Sequence, residues 1–210
     1  MANILIADDH AVVRSGLRHI LEANDSSVVI GEVGSGSGTL RRLRDATWDL
    51  LVLDINMPDR GGIDILRHIR SAHPTLPVLV LSGYAEKQYA VMALRAGASG
   101  YLEKGQSADE LLRAVETVLA GRRYVSASLA DLLVEDLHAP SELPPHSRLS
   151  GREFQIFCKL ASGSRTSDIA RELFISVKTV STYRSRVLEK MGFRANADLT
   201  TYALRNGLIQ

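Results

Sequence analysis

The chain has 210 residues, of which 45% are hydrophobic, and a formal net charge of +1, a composition typical of a globular protein with one large or two small domains. No apolar run approaches the roughly 20 residues that a membrane span needs. Asp8 and Asp9 interrupt the N-terminal stretch before the apolar core of a signal peptide could form. The single cysteine, Cys158, cannot form an internal disulfide. We therefore expect a cytoplasmic protein that does not enter a membrane.

The charge is distributed unevenly along the chain. Residues 1–120 contain 12 Lys and Arg against 15 Asp and Glu, whereas residues 149–210 contain 10 against 5. A basic C-terminal segment favours a polyanionic partner, although a solvated helix surface can be equally basic. The charge alone therefore suggests nucleic acid as a partner but does not establish it.

Short β-rich apolar runs alternate with amphipathic segments in the first 120 residues. The pattern predicts strands at 4–7, 28–33, 50–54, 78–81 and 100–102, and helices at about 11–22, 37–46, 62–71, 86–95 and 107–119. This alternation predicts an α/β fold, a five-stranded doubly wound parallel sheet, over residues 1–120. In such sheets the functional residues gather at the carboxyl ends of the strands.

The pattern changes after residue 120. A weakly helical stretch at about 126–138 runs into Pro140, Pro144 and Pro145, which exclude a continuous helix. We interpret residues 121–148 as an interdomain linker. The rest of the chain, 149–210, predicts a small all-α domain with helices at about 151–162, 166–173, 177–191 and 195–206.

Polar side chains follow four of the predicted strands. Asp8 and Asp9 come after the first strand, Asp54 ends the third, Ser82 follows the fourth, and Lys104 follows the fifth. Crowded carboxylates repel one another unless a cation intervenes, and oxygen ligands favour Mg²⁺. The cluster therefore predicts a Mg²⁺-dependent site for phosphoryl transfer, in which one carboxylate attacks and Lys104 holds a phosphoryl oxygen.

These residues, together with Tyr101, resemble the receiver domain of two-component response regulators over residues 3–119. The resemblance implies that Asp54 accepts a phosphoryl group from a sensor histidine kinase. It also implies that Ser82 moves toward this group and that the rotamer of Tyr101 reports the movement. The Mg²⁺ ligands that it implies are Asp9, Asp54, the backbone carbonyl of Asn56 and, through a water, Asp8.

Other glycine, histidine, cysteine and tyrosine positions give weaker indications of a functional site. The glycines at 34, 36 and 38 lack the spacing of a dinucleotide-binding motif and predict a flexible loop. The histidines are scattered without metal-ligand spacing, and Cys158 lies among apolar residues that predict a core position. Tyr84, two residues beyond Ser82, is placed where its bulk would obstruct the water that hydrolyses a phosphoryl group.

Residues 149–210 carry the pattern of a helix-turn-helix. Ser150 and Glu153 have the spacing of a capping box, and Ser176 is a typical N-cap for the helix at 177–191. On a helical wheel this helix has a polar, partly basic face opposite an apolar one, an arrangement that suits the major groove of DNA. The predicted apolar face contains Val177, Val180, Val187, Leu188 and Met191, with Arg184 on the same side.

The stretch from Ile169 to Gly192 resembles the LuxR-type helix-turn-helix, and together with a receiver domain it resembles the NarL/FixJ type of response regulator. The resemblance implies a regulator that binds double-stranded DNA as a homodimer, with the final helix forming the dimer contact. By the same analogy, the candidate DNA-contacting residues are Lys178, Thr179, Ser181, Thr182, Ser185 and Arg186.

Two other classes of function are compatible with parts of the sequence. An enzyme that works through an aspartyl phosphate commonly has a second carboxylate two residues after the nucleophile, where this chain has Asn56, and it needs a cap over its substrate. A phosphorylation-dependent adaptor would keep the receiver domain but bind protein through its C-terminal domain. We expect a DNA-binding regulator rather than an enzyme.

Overall fold

The computed structural model describes residues 1–57, 59, 62–83, 87–126, 129 and 144–209. The chain folds as two compact units, Met1–His138 and Ala139–Gln210. The division falls among the residues that the sequence predicts as a linker. Two predictions lie outside the described residues: the position of Tyr84, and the helix at about 126–138 apart from residues 126 and 129.

The first unit contains a parallel sheet with the strand order β2-β1-β3-β4-β5, which confirms the predicted fold class. Strands and helices alternate along the chain, and most of their bounds lie within one residue of the predicted ones. The elements are β1 (Asn3–Ala7), α1 (Ala11–Asn24), β2 (Val29–Val33), α2 (Gly36–Asp45), β3 (Leu50–Asp54), α3 (Gly62–Ala72), β4 (Val78–Ser82), α4 (Lys87–Arg95), β5 (Gly100–Glu103) and α5 (Ala108–Leu119).

Burial explains why the central strands are almost entirely apolar. Every residue of β3 and β4 is buried, because these strands have covered faces on both sides of the sheet. Helices α1 and α5 cover one face, where Leu17 and Val115 pack in one cluster with Ile6 and Val52. The polar residues of these two strands, Asp54 and Ser82, stand at their carboxyl ends.

The turn between β3 and α3 depends on a close backbone approach at Gly62. A Cβ atom added there would lie 2.4 Å from the Cα of Ile55 and 3.0 Å from the carbonyl oxygen of Asp54. Neither backbone atom can move without moving the end of β3. Glycine at this position therefore allows α3 to begin directly against the residue that ends the strand.

The second unit is all helical among its described residues. It opens with a 3₁₀ turn, Pro145–Arg148. The helices that follow are α6 (Gly151–Ala161), α7 (Thr166–Glu172), α8 (Val177–Met191) and α9 (Asn196–Arg205). Helix α8 has the predicted bounds, and it packs against both α6 and α7.

Of the five residues predicted for the apolar face of α8, three are buried, Leu188 is half-buried, and the prediction for Val177 is wrong. Val180, Val187 and Met191 are buried, whereas Val177 is 48% exposed. Val177 is the first residue of the helix, where no preceding turn of α8 covers it. Arg184 is half-buried and donates from Nε to Asn196 Oδ1 at 2.7 Å, so its charged end has a specific partner.

A capping box fixes the start of α6. The backbone N–H of Glu153 donates to Ser150 Oγ, and the N–H of Ser150 donates to Glu153 Oε2 at 2.8 Å. Lys190, near the end of α8, donates to the same carboxylate oxygen at 2.6 Å. Glu153 therefore joins the first turn of α6 to the last turn of α8, and its side chain is only 5% exposed.

No helix among the described residues is long and apolar enough to cross a lipid bilayer.

Glu153→Gln should lower the free energy of unfolding of the second unit by about 1.5 kcal/mol at pH 7, because hydrogen bonds to a charged group are lost. Burial opposes ionisation of Glu153, but Lys190 and the N–H of Ser150 outweigh it and lower the pKa of the carboxyl. Its contribution is therefore complete above the ordinary glutamate pKa and is lost as pH falls through the lowered value. The difference between variant and wild type should shrink in acid.

Unfolding of the second unit can be measured through Cys158, which is the single cysteine and lies buried in α6. Its labelling by an acid-tolerant disulfide reagent at increasing urea reports unfolding of the second unit alone. Glu172→Gln, which removes an exposed partner of Lys159, is the matched control and should have a smaller effect. Equal labelling curves for Glu153→Gln and wild type at neutral pH would contradict the assigned role of Glu153.

Candidate functional site

The carboxyl edge of the sheet brings together the polar residues that the sequence placed at strand ends. Asp8 directly follows β1, Asp54 is the last residue of β3, and Lys104 directly follows β5. The side chains of Asp8 and Asp54 are 1% and 0% exposed, although both are carboxylates. Asp9 lies beside them with a side chain that is 19% exposed. The edge is therefore a buried acidic cluster with one partly open side.

Lys104 bridges the two buried carboxylates. Its Nζ lies 2.6 Å from Asp8 Oδ2 and 2.8 Å from Asp54 Oδ2. Neither oxygen accepts a hydrogen bond from any other described residue. One ammonium group thus compensates two carboxylates that water does not reach.

Burial and mutual charge set the protonation behaviour of this cluster. Burial raises the pKa of Asp54; the adjacent Lys104 lowers it, and Asp8 raises it further. Burial would lower the pKa of Lys104, but the attraction of Asp54 and Asp8 outweighs that and raises it. The ammonium is thus held firmly in its charged form, whereas the Asp54 carboxylate is less well stabilised than one in water.

His10 is a member of the cluster that the sequence pattern did not reveal. Its Nδ1 lies 2.7 Å from Asp9 Oδ1 and 3.2 Å from Asp8 Oδ1. One ligand atom from each of Asp8, Asp9, His10 and Asp54 can be chosen so that all lie within 4.8 Å of one another, close enough to surround one metal ion. The spacing of the histidines gave no sign of this proximity, and the position of His10 directly after Asp8 and Asp9 was the available signal.

The remaining predicted site residues of the first unit are Asn56, Ser82 and Tyr101. The backbone N–H of Asn56 donates to Asp54 Oδ1 at 3.1 Å. Ser82 ends β4 and is fully buried, and its carbonyl accepts a hydrogen bond from the Lys104 N–H at 2.7 Å. Tyr101 lies in β5 and is 7% exposed. The structure therefore places Asn56 and Ser82 in contact with residues of the cluster and Tyr101 in the strand that precedes Lys104, while the roles of Ser82 and Tyr101 in switching stay predictions.

Helix α8 presents the predicted candidate contacts on one surface. Five of them are exposed and Thr179 is half-buried; the exposed ones are Lys178, Ser181, Thr182, Ser185 and Arg186. Ser176 caps the helix, because its Oγ accepts from the Thr179 N–H at 3.0 Å. The surface therefore begins at a well-defined helix N-terminus, where exposed N–H groups favour phosphate.

Most of the hydroxyl groups on this surface are already engaged with their own helix. Ser181, Thr182 and Ser185 each donate to the backbone carbonyl four residues earlier, at 3.0 to 3.2 Å. Their oxygens can still accept hydrogen bonds. Lys178 and Arg186 supply the positive charge, and Arg186 also lies over the ring of Tyr183 at 6.0 Å. Charge on this surface is therefore concentrated at its two ends.

A doubly wound domain with a buried acidic cluster is followed by a helical unit that exposes a basic helix after a tight turn, an arrangement typical of a DNA-binding transcription regulator. The model of the response regulator receiver domain matches residues 4–116, and the model described as bacterial regulatory proteins of the luxR family matches residues 147–203. The chain belongs to the NarL/FixJ-type response regulators, which are DNA-binding transcription regulators of two-component systems and not enzymes.

Curated relatives match over nearly their whole length. The response regulator GacA of Pseudomonas protegens is 34% identical, with 100% of this chain and 98% of GacA covered. The response regulator UvrY of Escherichia coli K12 is 32% identical, with 99% and 96% covered. Among solved structures, RcsB of Salmonella enterica serovar Typhimurium, bound to the rprA promoter in the presence of BeF3−, is 26% identical with a TM-score of 0.65, covering 96% of this chain and 97% of RcsB.

Lys104→Met should lower the free energy of unfolding of the first unit by about 3 kcal/mol at pH 7, because two buried carboxylates would lose their cation. The loss should diminish in acid: burial raises the pKa of Asp54, so the folded form takes up a proton while the unfolded chain is still ionised. Trp48, the single tryptophan, lies in this unit, so its fluorescence in urea follows the transition.

The double variant Lys104→Met with Asp54→Asn provides the control. It should recover much of the lost stability, since the neutral amide needs no counter-charge. A single variant that unfolds at the same urea concentration as the wild type would show that Lys104 does not compensate the buried acids.

Proposed function

We propose that Asp54 is the phosphoacceptor of this response regulator and that a sensor histidine kinase is the donor. The position of Asp54 supports this most directly: it is buried at the end of β3, with Lys104 Nζ 2.8 Å from its carboxylate. During transfer an Asp54 oxygen forms a bond to phosphorus, while the bond from phosphorus to the donor nitrogen breaks. Lys104 is fixed where negative charge accumulates on the phosphoryl oxygens, so it needs little reorganisation to stabilise them.

The acidic cluster fits a hard divalent cation, and we assign Mg²⁺ to it. Asp8 and Asp54 offer buried oxygens that accept no regular hydrogen bond from the described residues, and such oxygens are suitable ligands. Asp9, Asp54 and the backbone carbonyl of Asn56 would hold the ion, with Asp8 acting through a water. When bound, Mg²⁺ supplies positive charge that screens the carboxylates from one another and from an incoming phosphate.

Ser82 and Tyr101 are our candidates for the residues that carry the change of state. Ser82 ends β4 next to Asp54 on β3, and Tyr101 lies on the neighbouring strand β5. A phosphoryl group on Asp54 would offer new acceptor oxygens to the Ser82 hydroxyl and to Lys104. These contacts would exist in only one of two receiver conformations and would therefore shift the equilibrium toward it.

The output of the switch is control of DNA binding by α8. In the proposed arrangement a receiver domain of residues 1–120 and a linker of 121–148 precede a DNA-binding domain of 149–210. Phosphorylation would favour a cytoplasmic homodimer in which α9 forms the contact and the two α8 helices meet two half-sites. The related chain RcsB has been solved bound to promoter DNA in the presence of the phosphomimetic BeF3−.

Asp54→Asn should abolish phosphate incorporation from acetyl phosphate, because an amide cannot act as the nucleophile. Asp45→Asn, which changes an exposed aspartate at the end of α2, should incorporate phosphate like the wild type. Incorporation is measured by intact-mass spectrometry with Mg²⁺ and again with excess chelator, which should suppress it. Stoichiometric phosphate on Asp54→Asn would overturn the assignment of the phosphoacceptor.

Lys178→Ala and Arg186→Ala should each weaken DNA binding, and each should make the dependence of log K on log salt shallower by about 0.9 for a lost phosphate contact. Fluorescence anisotropy with a pool of random-sequence duplexes over a range of salt measures both effects. Arg41→Ala removes the same charge from the exposed surface of α2 and should leave the slope unchanged.

Unchanged slopes for both variants would remove these residues from the interface. If the wild type also fails to retain the duplexes at low salt, with and without acetyl phosphate, the C-terminal domain serves as a protein-binding adaptor instead.

A further inference from the structure

The chain that leaves α5 returns to pair with the edge of the sheet. Gly100 in β5 and Tyr124 form a parallel bridge. The N–H of Tyr124 donates to the carbonyl of Ser99 at 3.0 Å, and the N–H of Tyr101 donates to the carbonyl of Tyr124 at 3.3 Å. Since β5 is an edge strand, these bonds use backbone groups that the sheet itself leaves open. The first residues after α5 are therefore docked on the strand that carries Tyr101.

The side chain of Tyr124 reinforces this docking. Its ring is 7% exposed and belongs to the core cluster beneath α1 and α5. Its hydroxyl donates to the carboxylate of Glu110 in α5. Burial and the neighbouring Glu110 raise the pKa of Tyr124 to about 12, so the phenol keeps the proton that it donates. Tyr124 is thus bound both to β5 through its backbone and to α5 through its side chain.

Gly100 is the position in β5 that permits this approach. A Cβ atom there would lie 3.0 Å from Tyr124 Cβ and 3.1 Å from the Tyr124 carbonyl oxygen. The substitution Gly100→Ala would therefore crowd Tyr124 without altering the side chain of Tyr124 itself. Gly16 in α1 offers the opposite case, because an added Cβ there meets nothing within 4 Å.

We infer that Tyr124 is a positioning residue that couples the phosphorylation site to the segment leading to the second unit, and that the bridge to β5 opens when Asp54 is phosphorylated. This rests on the proposed function. Strand β5 carries Tyr101 and is followed directly by Lys104, which contacts Asp54. A phosphoryl group on Asp54 occupies space next to the Lys104 ammonium, which now lies 2.8 Å from the carboxylate, and a shift of the end of β5 that accommodates it strains the Tyr101–Tyr124 hydrogen bond, at 3.3 Å the longer of the two that form the bridge.

Amide hydrogen exchange of the full chain, followed by mass spectrometry with and without beryllofluoride and Mg²⁺, tests the opening of the bridge. In the wild type, peptides that contain Tyr101 and Tyr124 should lose protection when beryllofluoride is added. Unchanged protection of both amides, in a protein that does bind beryllofluoride at Asp54, would overturn the inference while leaving the proposed function intact.

Two variants test whether the bridge controls the output. Tyr124→Phe keeps the ring and the backbone pairing but loses the bond to Glu110, and should raise DNA affinity without beryllofluoride by roughly two- to tenfold, the range of one net hydrogen bond. Gly100→Ala should raise it further, toward the wild-type value with beryllofluoride. Gly16→Ala is the control and should behave as the wild type. The assay uses random-sequence duplexes at fixed salt.

The outcomes separate the two proposals. If Gly100→Ala does not fold, Tyr124→Phe alone carries the test. A Tyr124→Phe protein with the basal and stimulated DNA affinities of the wild type would overturn the coupling role. A wild type that takes up no phosphate from acetyl phosphate would instead overturn the proposed function, and the inference with it.

Discussion

The contact of one ammonium group with two buried carboxylates is the constraint on which the rest of the first unit depends. Asp8, Asp54 and Lys104 follow or end three different strands, and a parallel sheet with this strand order brings the lysine within 2.8 Å of both carboxylates. Placing two carboxylates away from water costs several kcal/mol for each ion, and a single lysine offsets only part of that cost. The cluster is therefore less stable than a solvated one, and any group that adds or neutralises charge there changes the balance. This property makes the edge suitable as a switch.

Local contacts hold both ends of the helix that carries the exposed basic surface of the second unit. Its helix α8 is held by the Ser176 cap at one end and by the contact of Lys190 with Glu153 near the other, so its exposed basic surface is fixed before any DNA arrives. We therefore expect regulation to change whether DNA can reach this surface. The connecting chain begins on the receiver beside β5, at Tyr124, and a change in the acidic cluster reaches that chain through a single strand.

Features set by local pattern, and the meeting of strand ends that a parallel sheet imposes, could be predicted from the sequence, whereas individual distant contacts could not. The bounds of β3 and α8 were correct, because a short continuous apolar run and a capping residue are local signals. The acidic cluster was also predictable, because parallel strands place their carboxyl ends together. The exposure of Val177 was missed because a helical wheel ignores where a helix begins. The bridge to Tyr124 was missed because no local pattern reveals which backbone groups an edge strand will pair with, and His10 because metal-ligand spacing was sought among the histidines alone.

The protonation of Asp54 is the property that depends most directly on this buried cluster. Carbon-detected NMR of the side-chain carboxyls, titrated in the full chain with and without Mg²⁺, measures it. Burial beside Asp8 should place the pKa of Asp54 above the ordinary aspartate value when Mg²⁺ is absent, and added Mg²⁺ should lower it. An Asp54 carboxyl that titrates at the ordinary value and does not respond to Mg²⁺ would contradict the claim that a strained, cation-binding cluster of acids operates this regulator.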